Sequence, residues 1–247
     1  MSQTIYERWA VEQLSRYGFP SSMVHVETVG IDSGNVTFEG QFTRDNLLKV
    51  AQLVALKAEI DTSIFSKKIE TCLDLGISIV VVKRAGLPVV ELKGMHVDIN
   101  DSLKESIFML VDALNWKCEV LYESISLGVM QLMNQLNNWA SFLNERRFRL
   151  SQYDVLIREK VQTELDVEAW DTERFLELID GIFKKKLCIF VLEFSLVHRS
   201  NGNVLLKEIL SDCINVPKLD GHVRKYNGEL RRLVKRSVRK FKDTIYA

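Results

Sequence analysis

Apolar positions in the first hundred residues switch between a helical period near 3.6 and a strand period of two. Ile5, Trp9, Val11 or Glu12, and Leu14 follow a helical spacing that stops at Gly18-Phe19-Pro20. Residues 24–31 (VHVETVGI) and 36–43 (VTFEGQFT) read as two strands around Asp32-Ser33-Gly34-Asn35, where Gly and Asn tolerate the positive φ of a hairpin turn. Val36, Phe38 and Phe42 point one way and Thr37, Glu39 and Gln41 the other, so one face of the hairpin is buried and one is wet. Residues 45–75 return to helical spacing, as one helix or as two divided near Asp61-Thr62-Ser63. A second hairpin follows, from 77–84 through a turn over Ala85 to Pro88 into 89–99. In its second strand Val90 and Leu92 lie on one phase and Met95, Val97 and Ile99 on the other. A β-bulge at Gly94 brings both sets onto one face.

Beyond Ile99 the helical period dominates. Asn100-Asp101-Ser102 begins a capping box, Ser102 with Glu105 three residues later. Ile107, Leu110, Leu114, Cys118, Leu121, Ile125, Val129, Leu132, Leu136, Trp139 and Leu143 then recur at three- and four-residue steps. This is one long helix, or an antiparallel pair bent near Ser126-Leu127-Gly128. Its seam serves internal packing or a homodimer, internal packing being the commoner use. Residues 151–165 and 172–184 read as two further helices, the latter opened by Asp171 or Thr172, and 187–197 (LCIFVLEFSLV) as a strand or a buried helix. The pattern predicts an α+β protein. Residues 1–101 form a domain of antiparallel hairpins packed with helices, and 102–247 a mainly helical part.

Charge changes this picture at the C-terminus. Residues 218–247 hold ten Lys/Arg against three acids, a net +7, which leaves residues 1–217 at −7 in a chain that is neutral as a whole. Leu230, Leu233, Val234, Val238, Phe241 and Ile245 stack on one helical face, with cations over the remainder. Arg231, Lys235 and Arg239 form one row at four-residue spacing and Arg232, Arg236 and Lys240 another, with Arg224 and Lys225 just upstream of Gly228. Cations held on one rigid surface release condensed counterions when they meet phosphate, so these eight residues are the candidate nucleic-acid contacts. A docking helix with merely solvated cations, and a helix lying on anionic lipid, are the other uses of the same pattern. Arg146, Arg147 and Arg149 make a second, smaller basic cluster.

Several classes are disfavoured. No stretch approaches the eighteen uncharged apolar residues of a membrane span, and the N-terminus mixes charges with apolar residues without a secretory core. Cys72, Cys118, Cys188 and Cys213 are widely spaced with no CxxC pair, as in reduced, mostly buried thiols of a cytoplasmic protein. There is no phosphate-binding glycine loop, GxSxG or HExxH, and no cofactor is expected. Glu91-Leu92-Lys93 has the E-x-K form of restriction-type nucleases, which need an Asp on the neighbouring strand. With a turn at 86–87 Glu91 faces Val82, and Asp74 is too far upstream. His25 with Glu27, and His96 with Asp98, alternate on strands and could meet at a metal only if those strands were neighbours.

Over residues 1–125 the order helix, two strands, helix, two strands, capped helix is similar to the small α/β chaperones of type III secretion systems and to YbjN-like domains. That resemblance covers about half the chain. It implies a sheet and adjoining helices that bind an extended protein segment or dimerise. The basic second half departs from it. Three functions are therefore carried forward: a non-enzymatic nucleic-acid-binding or regulatory protein, whose acidic body is open to a protein partner; a protein-binding adaptor or secretion-chaperone-like protein; and a divergent nuclease.

Overall fold

The computed structural model describes residues 3–28, 33–94, 99–140, 145–149, 152–162, 164–165, 171–184 and 186–215, together with Gly228, Arg232 and Lys235. The chain is α+β and divides into two compact units, one of Tyr6–Met130 and one of Met1–Ile5 with Gln131–Ala247. The charge divides with them. Residues 6–130 carry 17 acids and 12 Lys/Arg, net −5, and the other unit 16 acids and 21 Lys/Arg, net +5.

The N-terminal unit begins in α1 (Ile5–Arg16) and holds a four-stranded antiparallel sheet, β2 (Met23–Val26), β3 (Val36–Gln41), β4 (Ser78–Arg84) and β5 (Leu87–Lys93), in that spatial order. Val36, Phe38 and Phe42 are buried as their alternation predicts, with Phe19 edge-on to both aromatic rings. Between the hairpins lie α2 (Arg44–Lys57) and α3 (Thr62–Asp74), two helices as the break near Asp61 suggests. Asp61 caps α3 by accepting from Ser63 N and Ile64 N at 2.9 and 3.0 Å. The second hairpin turns through Ala85 (φ 47) and Gly86 (φ 87), the doubly positive pair that matches strand twist in a two-residue loop. Its centre is one residue earlier than the sequence suggests, so Glu91 lies opposite Val80 and not Val82. The described strand stops at Lys93, and Gly94 beyond it takes φ +83; residues 95–98, and with them the test of the bulge, lie outside the described residues.

The predicted seam forms one helix, α4 (Asp101–Ala140), with no break at Ser126-Leu127-Gly128. Its cap is Asn100, whose Oδ1 accepts from Leu103 N at 2.9 Å, whereas Ser102 is already inside the first turn. Ile107, Leu110, Leu114, Cys118, Leu121, Ile125, Val129, Leu132 and Leu136 are all buried within the chain, and Leu143 lies outside the described residues. Gly128 has a different use from a bend: the Trp9 ring lies where its Cβ would project. Two polar residues of α4 complete the sheet. Asn115 accepts from Val90 N (2.8 Å) and donates to Val90 O (3.2 Å) on edge strand β5, and Ser126 Oγ accepts from Val36 N at 3.1 Å.

The C-terminal unit corrects the expectation of a mainly helical second half. β6 (Glu145–Arg149), β7 (Tyr153–Val161), β9 (Cys188–His198) and β10 (Val204–Asn215) make a second antiparallel sheet in the order β10-β9-β7-β6. The short β1 (Gln3–Thr4) pairs with β8 (Glu164–Leu165), and α5 (Thr172–Phe183) is capped by Asp171. Val155 and Ile157 take one face of residues 153–161 and Asp154, Leu156, Arg158 and Lys160 the other, a period of two that pairing with β9 selects over a helix. Val155, Ile157, Phe190, Leu192, Phe194 and Leu196 share one buried face.

Gly128→Ala is expected to destabilise the protein by about 1–3 kcal/mol through overpacking against Trp9, although Ala is the better helix former by ~1 kcal/mol. In a Trp9→Leu background the same change should be neutral or stabilising; urea unfolding of the four variants measures the reversal.

Candidate functional site

The opposite face of the C-terminal sheet is charged, and the strand register says which residues share it. Partners across a ladder point the same way. Asp154, Leu156, Arg158 and Lys160 of β7 therefore lie with Val197, Ser195, Glu193 and Val191 of β9, with Glu145, Arg147 and Arg149 of β6, and with Lys207 of β10. The short carboxylates sit beneath the longer cations. Asp154 has 5% of its side chain exposed, and its oxygens meet Arg147 Nε at 2.9 Å and an Arg199 guanidinium nitrogen at 3.2 Å. Glu193 has 7% exposed and meets Lys160 Nζ at 2.7 Å and Lys207 Nζ at 2.9 Å. The four cations themselves remain 43–55% exposed. Arg158 is tied to Glu145 at 2.6 Å, and Arg149 lies opposite Asp154.

Each buried carboxylate thus holds two cations, a geometry with two consequences. It fixes long side chains that would otherwise lose rotamer freedom on binding a ligand. It also leaves positive charge in excess, because the described face presents six cations over three acids. Hydrogen bonds from Lys160 and Lys207 hold the Glu193 carboxyl below the ordinary carboxylate range. Glu145 raises the Arg158 guanidinium.

Arg147 and Arg149 belong to the basic cluster visible in the sequence. The helical reading of 151–165 hides Arg158 and Lys160, because it turns Lys160 away from Asp154 and Arg158, while Arg199 and Lys207 lie some forty residues further along the chain. The alternation that would mark a strand is broken by Leu156 on the charged face and Glu159 on the other. Of the predicted C-terminal contacts, Arg232 and Lys235 are helical and exposed, as is Gly228. Arg224, Lys225, Arg231, Arg236, Arg239 and Lys240 lie outside the described residues.

Other candidate chemistry has a structural use. Glu91 accepts a hydrogen bond from Arg84 Nε, which lowers its pKa, and Asp74 is bound by Arg44 at 2.6 Å. No acid faces Glu91 from β4, since its partner there is Val80. His25 lies 3.8 Å from Glu7 and 3.8 Å from Glu27, while His96 and Asp98 are outside the described residues. Among the described residues no three metal-ligating side chains converge. All four cysteines are buried and free, and burial raises the Cys118 and Cys188 thiols to about 12. His198 packs edge-on to Tyr153 and bonds Ser200 Oγ at 2.9 Å inside a turn. Among the described residues no helix is long and apolar enough to cross a membrane.

The chain matches no family model, no curated protein and no solved structure.

Because its folded pKa is depressed, Glu193 contributes stability that is present above its unfolded value near ~4.3 and is lost as pH falls through the lower folded value. Glu193→Gln should therefore be most destabilising near neutral pH. Its difference from wild type should shrink as the medium is acidified towards ~pH 3, read from denaturant midpoints along a pH series. Purified protein with Mg²⁺ or Mn²⁺ is expected to leave DNA and RNA intact on gels, since β4 places no carboxylate opposite Glu91 to share a metal.

Proposed function

We propose that the protein binds nucleic acid, through the cationic sheet face of its C-terminal unit and the basic segment that follows. The observation that carries this reading is the six-cation face built by Arg147, Arg149, Arg158, Lys160, Arg199 and Lys207 over three carboxylates. Cations that merely answered an acidic body would be matched one to one. Here Asp154 and Glu193 each hold two, and the surplus faces water.

Phosphates are the ligands this chemistry suits. Cations two residues apart on one strand face are about 6.8 Å apart, near twice the ~3.4 Å rise per nucleotide of one DNA strand. The described face has no aromatic side chain on which bases could stack, so contacts run to the backbone and sequence preference is weak. Exposed Arg232 and Lys235 add positive charge to the same unit, and the −5 of the N-terminal unit disfavours phosphate there.

Arg149 and Arg158 are the informative positions, because reversing them leaves both buried carboxylates with their partners. Arg149→Glu with Arg158→Glu should preserve the circular dichroism spectrum and weaken binding at low salt. Each phosphate left without its cation should reduce the magnitude of the logarithmic salt slope by roughly 0.9 on duplex or 0.7 on single strands. Arg232→Glu with Lys235→Glu should reduce it further. Fluorescence anisotropy of labelled DNA and RNA across a salt series provides the measurement. Wild-type protein without salt-sensitive affinity for any of them would end this reading.

A further inference from the structure

The N-terminal unit carries an open groove of about 380 Å³ between α2 and α4. Its walls include Tyr17, Leu53 and Val120, and Trp116 stands 62% exposed at its rim. Large aromatic side chains are rarely left this open over an apolar trough unless something covers them. Glu119 and Glu123 line the cavity on the far side of Trp116, and an exposed apolar stripe of α4 runs past the groove at both ends. Met109, Trp116, Val120 and Leu127 are exposed at spacings of seven, four and seven, one stripe of the helix opposite its buried seam.

The groove is also charged in a particular way. Lys57 lies over the Trp116 ring, its Nζ 5.7 Å from the centroid, and Lys117 over the Tyr17 ring at 5.4 Å. These two ammonium groups are the only charges among the lining residues. Neither has an ion-pair partner among the described residues, in a unit whose net charge is −5. Burial, and then the charge of Lys57, lower the pKa of Lys117. An apolar floor with two cations and no carboxylate is complementary to an apolar body with anionic groups at its margins.

We propose that this groove docks an amphipathic helix of a partner protein, its apolar stripe on Trp116, Leu53 and Val120 and its carboxylates on Lys57 and Lys117. A helix satisfies its own backbone, which suits walls made of two helices that offer no strand edge. From Met109 to Leu127 the stripe is about 27 Å long, the length of about 18 helical residues. The site is separate from the cationic sheet face in residues and in ligand.

The experiment is selection of a displayed library of such helices on the full chain, with a fixed leucine stripe and flanking positions varied among Glu, Gln and Lys. Enrichment of Glu at the flanks is expected, with the selected peptide shifting Trp116 emission to the blue. Affinity should fall roughly tenfold or more in Lys57→Glu with Lys117→Glu, and recover when the peptide's Glu residues become Lys. Lys57→Gln with Lys117→Gln should give an intermediate loss, and Trp116→Ala should abolish binding. No enrichment, or enrichment indifferent to flank charge, overturns the proposal. So does self-association removed by Trp116→Ala, which would assign the groove to a second copy. A blue shift on phosphatidylglycerol vesicles with no selected peptide would assign it to lipid and equally overturn it.

Discussion

Burial of one stripe of α4 is the interaction on which the N-terminal unit depends. Ile107, Leu110, Leu114, Cys118, Leu121, Ile125 and Val129 close over a sheet whose own inward residues, Val36, Phe38, Ile79, Val81 and Val90, could not exclude water from one side. Full burial of a side chain of this size stabilises by about 1.5–3 kcal/mol, so no other single element contributes as much apolar contact. The same constraint explains the residues that interrupt the stripe. Gly128 admits the Trp9 ring, and Ser126 answers a backbone N–H that the ladder leaves over.

The two units solve the problem of charge in opposite ways. On the C-terminal sheet, Asp154 and Glu193 are sunk beneath Arg147, Arg199, Lys160 and Lys207, so that anions are covered and cations are presented. In the N-terminal unit Lys57 and Lys117 are laid against aromatic rings without a carboxylate. Neither arrangement is the evenly mixed charge of an inert surface.

Local patterns were legible where one period dominated. The alternation of Val36, Phe38 and Phe42, the Asp61 cap and the seam of α4 are all decided within a few residues or by long repetition. The second half was harder because residues 151–165 satisfy either period. Tyr153, Ile157, Val161 and Leu165 recur at helical spacing, and only pairing of Val155 and Ile157 with Leu196 and Phe194 some forty residues away selects the strand. β10 was not anticipated, since its side chains are mostly half-exposed and its register shifts twice. The candidate site suffered from the same cause. Arg147 and Arg149 are neighbours in sequence, whereas Lys160 and Lys207 meet only around Glu193, a convergence that no spacing encodes.

Asn115 gives β5 the donor and acceptor that another strand would have supplied. An edge strand is a template for any passing extended chain, and here the plug comes from a residue made 25 positions after Val90. At a synthesis rate of roughly 5–20 residues per second, Val90 waits about 1–5 s for its amide partner, longer than a hairpin needs to form. For that interval β5 is made but its edge has no Asn115 to answer it. The helix that later fills the core also ends the period in which the chain can pair with its neighbours on a polysome.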